Sequence, residues 1–251
     1  MIRVDFSRRS TETELMDTEV VDAEDFRRCL ADLAVVNRLT LARRPTLAWL
    51  DRATAGLPRG ATFSLLDVGF GHGDMLRAIR LWAERRGLDA RLEGVDLNPL
   101  SARAAEGATP SALAITYRTG DLFDEPTDRR FDFIISSLFT HHLTDAQIVA
   151  FLRWMSGQAA IGWFINDLHR HAVAYHAFRL LSAAAGWHRF VRHDGPVSIA
   201  RSFRREDWTR LLQTAGVTAE IAWRVPFRFC VGHIGPPQIV GHIGPRQTTA
   251  S

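Results

Sequence analysis

Three glycines at alternate positions, Gly69, Gly71 and Gly73, sit in the run Leu66-Asp67-Val68-Gly69-Phe70-Gly71-His72-Gly73. Glycine lets the backbone turn tightly and bring its amides up to a ligand where side chains would clash. A dinucleotide fingerprint would need a glycine at position 74, which is Asp74. A phosphate-binding P-loop would need a lysine, and all 31 basic residues of this chain are arginine. The missing lysine also rules out Schiff-base and pyridoxal-phosphate chemistry. What remains is a glycine loop with a carboxylate, Asp67, two positions ahead of its first glycine.

Two more carboxylates stand at comparable places. Asp96, in Glu93-Gly94-Val95-Asp96-Leu97-Asn98, can accept both hydroxyl hydrogens of a ribose. Asp121, in Gly120-Asp121-Leu122, can accept from an adenine amino group while Leu122 packs on the ring. Proton chemistry falls to His141, His142 and His169, because an unperturbed histidine pKa of about 6.5 suits a general base. We take His142 first, His169 second and His141 third. Cys29 and Cys230 have no ligand-like spacing, so no metal site is expected and a reducing, cytoplasmic compartment is.

These residues must be held by strands and helices. Short apolar runs at 63–68, 91–96, 113–118, 131–136 and 161–166 read as buried parallel strands, each of the first three ending at one of the carboxylate motifs. Helical periodicity separates them at 74–86, 100–106 and 145–155, and returns at 205–215 before two final strands at 217–224 and 227–231. This alternation predicts a doubly wound α/β sheet.

Residues 1–21 read as a polar, partly ordered segment, and 22–60 as a helical cap closed by Gly56, Pro58 and Gly60. The main domain spans 61–231. Within it, about 167–202 is a lid-sized insertion, with a turn expected at His193-Asp194-Gly195-Pro196. Val231-Gly232-His233-Ile234-Gly235-Pro236 recurs at 240–245, and its glycine and proline density predicts a flexible tail over 232–251.

Over about residues 60–231 the chain resembles the class I S-adenosylmethionine-dependent methyltransferases. The resemblance rests on LDVGFGHG at 66–73, GVDLN at 94–98, GDLF at 120–123 and FDFIISSLFTHHL at 131–143. It implies a Rossmann-like seven-stranded sheet whose last strand is antiparallel, with S-adenosylmethionine as cofactor. Gly69, Phe70, Gly71 and Gly73 would form the methionine-side loop, Phe70 through its backbone, and Asp67 would reach the amino group indirectly. Asp96 with Leu97 would hold the ribose, Asp121 with Leu122 the adenine, and Ser137 would face the methyl donor.

Methyltransferases of nucleic-acid amines typically carry an Asn/Asp-Pro-Pro-aromatic box after the fourth strand, where this chain has Ser136-Ser137-Leu138-Phe139. That counts against a nucleic-acid partner. The resemblance is to the small-molecule branch, and implies methylation, at oxygen, of an aromatic or polyketide-like acceptor in secondary metabolism. The alternatives are an RNA or protein methyltransferase, given a sequence pI of about 9.5, and a non-catalytic partner of the same fold. No membrane span is expected, and a homodimer is an open option.

Overall fold

The computed structural model describes residues 4–18, 22–124 and 130–235. The apolar run expected to be buried on both faces forms β1 (Thr62–Val68) at the centre of the sheet. It pairs in parallel with β2 (Asp89–Asp96) on one side and β4 (Phe131–Ser137) on the other. β3 (Ile115–Thr119) continues beyond β2, and β5 (Ala159–Leu168) beyond β4. The strand order is β3-β2-β1-β4-β5-β7-β6, and β7 (Arg228–Ile234) runs antiparallel to both β5 and β6 (Glu220–Arg224). The expected seven-stranded sheet with its last strand reversed is therefore present.

From β1 the chain winds outward to β2 and β3, then returns to β4 on the opposite side. Connections diverge at that point and leave a crevice at the carboxyl ends of β1 and β4, where open α/β sheets receive ligands. Helices α4 (Asp74–Arg86), α5 (Pro99–Gly107), α6 (Asp145–Gln158) and α9 (Arg205–Ala215) flank the sheet. Asn98 caps α5 and a Thr144–Gln147 capping box starts α6, so both helices begin immediately after strand-end loops. Trp49, on α3 (Arg44–Ala53), stacks on Phe164 within one apolar core, with Phe63 and Phe133. A second core holds Ile134, Phe151, Trp208 and Val231. No helix among the described residues is long and apolar enough to cross a membrane.

Three further helices, α2 (Ala23–Leu39), α7 (Ala172–Ala184) and α8 (Arg189–Arg201), contribute to one cavity with the sheet's carboxyl edge. Here the structure departs from the sequence reading. His193 to Pro196 is not a turn but the middle of α8. Gly195 is small because Phe178 of α7 presses on it; a Cβ there would lie 2.0 Å from the Phe178 ring. Asp194 accepts the amides of Leu15 (2.8 Å) and Met16 (3.1 Å), and so caps the short α1 (Leu15–Thr18). Local turn propensity yields to this tertiary packing.

The N-terminal segment differs as well. Residues 4–18 pack against the domain rather than trailing from it. The Arg9 guanidinium bonds Asp145 (2.7 Å) and the carbonyls of Leu143 (2.9 Å) and Arg201 (2.8 Å). At the other end, β7 runs on to Ile234, so residues 231–234 of the first copy of the repeat are strand, with His233 paired opposite Trp163. The expected tail thus begins later than 232, and its remainder from 236 lies outside the described residues.

Candidate active site

β1 ends at Val68 and the glycine loop follows with φ values of 73°, 52° and 70° at Gly69, Gly71 and Gly73. All three lie in the left-handed region that side-chain-bearing residues avoid. A Cβ on Gly69 would come within 2.6 Å of Phe139, and one on Gly73 within 2.5 Å of the Tyr117 hydroxyl. Gly71 has open space instead, and its amide donates to Asp96 Oδ2 at 3.0 Å. The Phe70 ring turns inward against Gly94 and sits 4.9 Å from the Tyr117 ring. A large residue fits there because position 94 is glycine.

A cavity of about 420 Å³ opens beside the loop, lined by Asp67, Gly69, Phe70, Gly71 and Ser137. Asp67 is buried, and its Oδ1 has no hydrogen-bond partner; nor has the buried Ser137 Oγ. Burial, then the nearby charges of Asp74 and Asp96, pushes the Asp67 carboxyl well above the usual carboxylate range. Burial also raises Asp96, opposed by the amides of Asn98 and Gly71 that bond its two oxygens. Gly73, Asp96, Leu97, Asp121 and Leu122 stand next to this cavity in sequence but do not line it. Leu97 is 71% exposed, Leu122 is buried in the core, and Asp121 accepts the Phe123 amide at 2.9 Å.

The three histidines differ sharply. His141 is buried, and its Nδ1 lies 2.8 Å from Asp167 Oδ1. Asp167 also accepts from the Thr140 hydroxyl and the amides of His141 and Leu168. Burial alone would raise Asp167, but the His141 ring and these donors outweigh it and hold the carboxyl at about 2. In the neutral ring, an ionised partner at Nδ1 places the proton there and leaves the lone pair on Nε2. His142 is partly exposed to the same cavity, its ring tilted 34° against that of His141 at 4.4 Å.

His169 lines the cavity too, but it belongs to an aromatic cluster with His171, Phe227 and Phe229. Trp223 Nε1 donates to its Nδ1 at 3.2 Å, so neutral His169 carries its proton on Nε2. Burial, reinforced by His171, Arg204 and Arg170, pushes its pKa down to about 4. The structure therefore brings His141 and His142 together and leaves His169 apart from the pair.

Two cavity residues, Glu14 and Arg228, and one buried partner behind the cavity wall, Asp167, were not singled out as site residues from the sequence. Glu14 arrives from the N-terminal segment, with Oε1 3.6 Å from His141 Nε2 and Oε2 3.8 Å from His142 Nε2. Asp167, read only as part of a cap, is the partner of His141. Arg228 is buried on the cavity wall, where Nη2 bonds Thr40 Oγ1 at 3.1 Å while Nε and Nη1 have no partner. A charged residue at the end of an apolar strand was a signal for Asp167 and Arg228. Glu14 had none.

Residues 65–158 match the methyltransferase domain family. No curated protein sequence matches the chain. Among solved structures it is similar to an S-adenosylmethionine-dependent methyltransferase from Aquifex aeolicus (17% identity, TM-score 0.58), covering 85% of this chain and 98% of that one. It is similar to the CurJ carbon methyltransferase (15% identity, TM-score 0.60), over 84% of this chain and 60% of that one. A third is the magnesium protoporphyrin IX methyltransferase of Synechocystis PCC 6803 with bound S-adenosylhomocysteine (16% identity, TM-score 0.51; 78% and 82% covered). At these identities the structures speak for the fold and the matched domain for the chemistry. Residues 65–158 thus match a methyltransferase domain, set in a fold shared with S-adenosylmethionine-dependent methyltransferases.

Proposed function

We propose that the chain transfers a methyl group from S-adenosylmethionine to an oxygen of a small, largely apolar acceptor, aromatic or polyketide-like. The observation that carries this is the cavity itself. One enclosure joins the glycine loop, Asp67 and Ser137 to His141, His142 and apolar side chains such as Leu33, Phe178 and Phe190. Residues 22–60 and about 167–202 would act as its acceptor cap on a methyltransferase domain spanning 61–231.

The residues fit the donor. Asp67 Oδ1 and Ser137 Oγ are buried polar atoms without partners, as expected where a ligand's ammonium and carboxylate complete them. Gly71 leaves open the space a side chain would fill. Each Asp96 oxygen already accepts one amide and keeps a lone pair for a ribose hydroxyl. Asp121 and Leu122 would meet the adenine, with Leu97 beside the ribose. Bound S-adenosylmethionine supplies a methyl group on a positively charged sulfur.

The chain then has to orient the acceptor, exclude water and remove one proton. Nε2 of His141 holds the lone pair for that proton, and Asp167 stabilises the charge formed on the ring. His142, first choice from the sequence alone, lies beside it as the more exposed member of the pair. His169 acts as a hydrogen-bond donor through Nε2. The buried thiols Cys29 and Cys230 and the small acceptor fit an enzyme of secondary metabolism in the cytoplasm.

Calorimetry of S-adenosylmethionine binding tests the donor. Asp96→Ala should weaken binding by at least about tenfold, the loss of one charge-assisted contact pair. Equal binding by both proteins, or by neither, would overturn the assignment. Methylated product from a panel of phenols and enols tests the acceptor.

A further inference from the structure

Glu14 comes from the N-terminal segment and His141 and His142 from the turn after β4, yet their ligand atoms all lie within 4.8 Å of one another. The separations of 3.6 Å and 3.8 Å between Glu14 and the two Nε2 atoms are too long for hydrogen bonds. They approach the edge of about 3.4 Å that two ligands make around a tetrahedral cation at about 2.0–2.1 Å. These two separations are close to those of ligands around one ion.

A second observation points the same way. A metal-bound histidine characteristically donates its other ring N–H to a carboxylate, which fixes the tautomer and turns the lone pair toward the ion. His141 does this through Nδ1 to Asp167 at 2.8 Å, with its Nε2 facing Glu14. Glu14 is also held from behind, because Ser198 Oγ donates to its Oε1 at 2.8 Å. Glu14 and His141 are buried, while His142 is partly exposed, and all three line the cavity.

We propose that Glu14, His141 and His142 form a site for one divalent transition-metal cation whose open position faces the acceptor cavity. Two imidazoles and a carboxylate without sulfur suit zinc, cobalt, manganese or ferrous iron, and three protein ligands leave room for an exogenous oxygen. This departs from the absence of a metal site expected from the sequence. The use of the cation rests on the methyl-transfer reading, but its binding does not. In the loaded protein His141 is a ligand and the cation does the work otherwise given to its lone pair. The acceptor hydroxyl binds at the open position, its O–H bond breaks with the proton passing to water, and the oxygen keeps the electron pair that forms the bond to the methyl carbon as the bond to sulfur breaks.

The full-length chain, stripped with a chelator and dialysed, is titrated with Co²⁺ while visible absorption is followed, and with Zn²⁺ in equilibrium dialysis. One equivalent per chain is expected. Glu14→Gln and His142→Gln should each weaken affinity on the order of 100-fold, beyond the effect of losing an outer-shell partner. Thermal melts confirm that the variants fold. Absence of stoichiometric binding, or binding unchanged in both folded variants, overturns the site. S-adenosylmethionine calorimetry on the same stripped protein separates the readings: donor binding without cation binding sinks only this proposal, and cation binding without donor binding sinks only the methyl-transfer reading.

Discussion

The Asp167 carboxylate holds Nδ1 of His141 at 2.8 Å, and both groups are sealed from solvent. Asp167 closes β5, while His141 lies in the short turn after β4, so the sheet's register determines the pair. Ser137 pairs with Asn166 at the end of these neighbouring strands, and the two chains diverge from there. His141 is thereby oriented by a partner that cannot rotate away, which is how a neutral imidazole keeps one chosen nitrogen available.

Asp167→Asn should leave donor binding within a few-fold of wild type and lower turnover by roughly 10²–10⁴, the range for losing a positioned acid–base group. Asparagine can present its amide nitrogen to Nδ1 and reverse the tautomer. Single-turnover formation of S-adenosylhomocysteine with a responsive acceptor measures this. Unchanged turnover would remove His141 from the reaction.

Donor binding should release a proton. Burial raises the Asp67 carboxyl well above the usual carboxylate range, and a ligand ammonium beside it favours the ionised form. The sign follows directly: binding that expels a proton strengthens as pH rises. Calorimetry in buffers of different ionisation enthalpy counts the proton, and Asp67→Asn should abolish both the release and the rise. A binding heat independent of the buffer would contradict it.

The glycines should separate stability from binding. Gly69→Ala and Gly73→Ala combine positive φ with contacts under 3.0 Å, so each should cost about 1–3 kcal/mol or more. Gly71→Ala meets no neighbour, so it should lose only about 1–2 kcal/mol of backbone preference while weakening donor binding through a methyl in the cavity. Melting temperatures and calorimetry on the three variants check the ordering.

His169 should make the fold acid-sensitive. Its folded pKa of about 4 lies below its ordinary value of 6.5, so between these values the unfolded chain binds a proton that the folded one refuses. The stability associated with neutral His169 is complete above pH 6.5 and is lost as pH falls from 6.5 through 4. Urea midpoints over that window should fall less steeply in His169→Gln than in wild type. Parallel slopes would show that His169 ionises freely when folded.

The legible parts of the fold and of the proposed site are those whose physics is local. The glycine loop, the strand-end carboxylates Asp67, Asp96 and Asp121, and the strand–helix alternation each follow from requirements within a few residues, on φ, on burial or on period. The histidine ranking was not of that kind. His142 and His169 were placed ahead of His141, although nothing nearby in the chain distinguishes the three. Trp223 on one ring and Asp167 on another do, and both reach across the sheet.

His193-Asp194-Gly195-Pro196 shows the same limit from the other side. Its composition is that of a turn, yet Asp194 is occupied in capping α1 and Gly195 in admitting Phe178, so the helix persists. The amino-acid sequence by itself determined the sheet, the crevice at its carboxyl edge and the glycine loop proposed to receive the donor, because burial, periodicity and backbone freedom act over short spans. Only the tertiary structure decided which histidine has a lone pair to use and that Glu14 stands before it. Those facts depend on groups distant in the chain, His141 and Asp167 26 residues apart, His169 and Trp223 54 apart and Glu14 farther still, meeting where an unsatisfied charge is costly enough to select one arrangement.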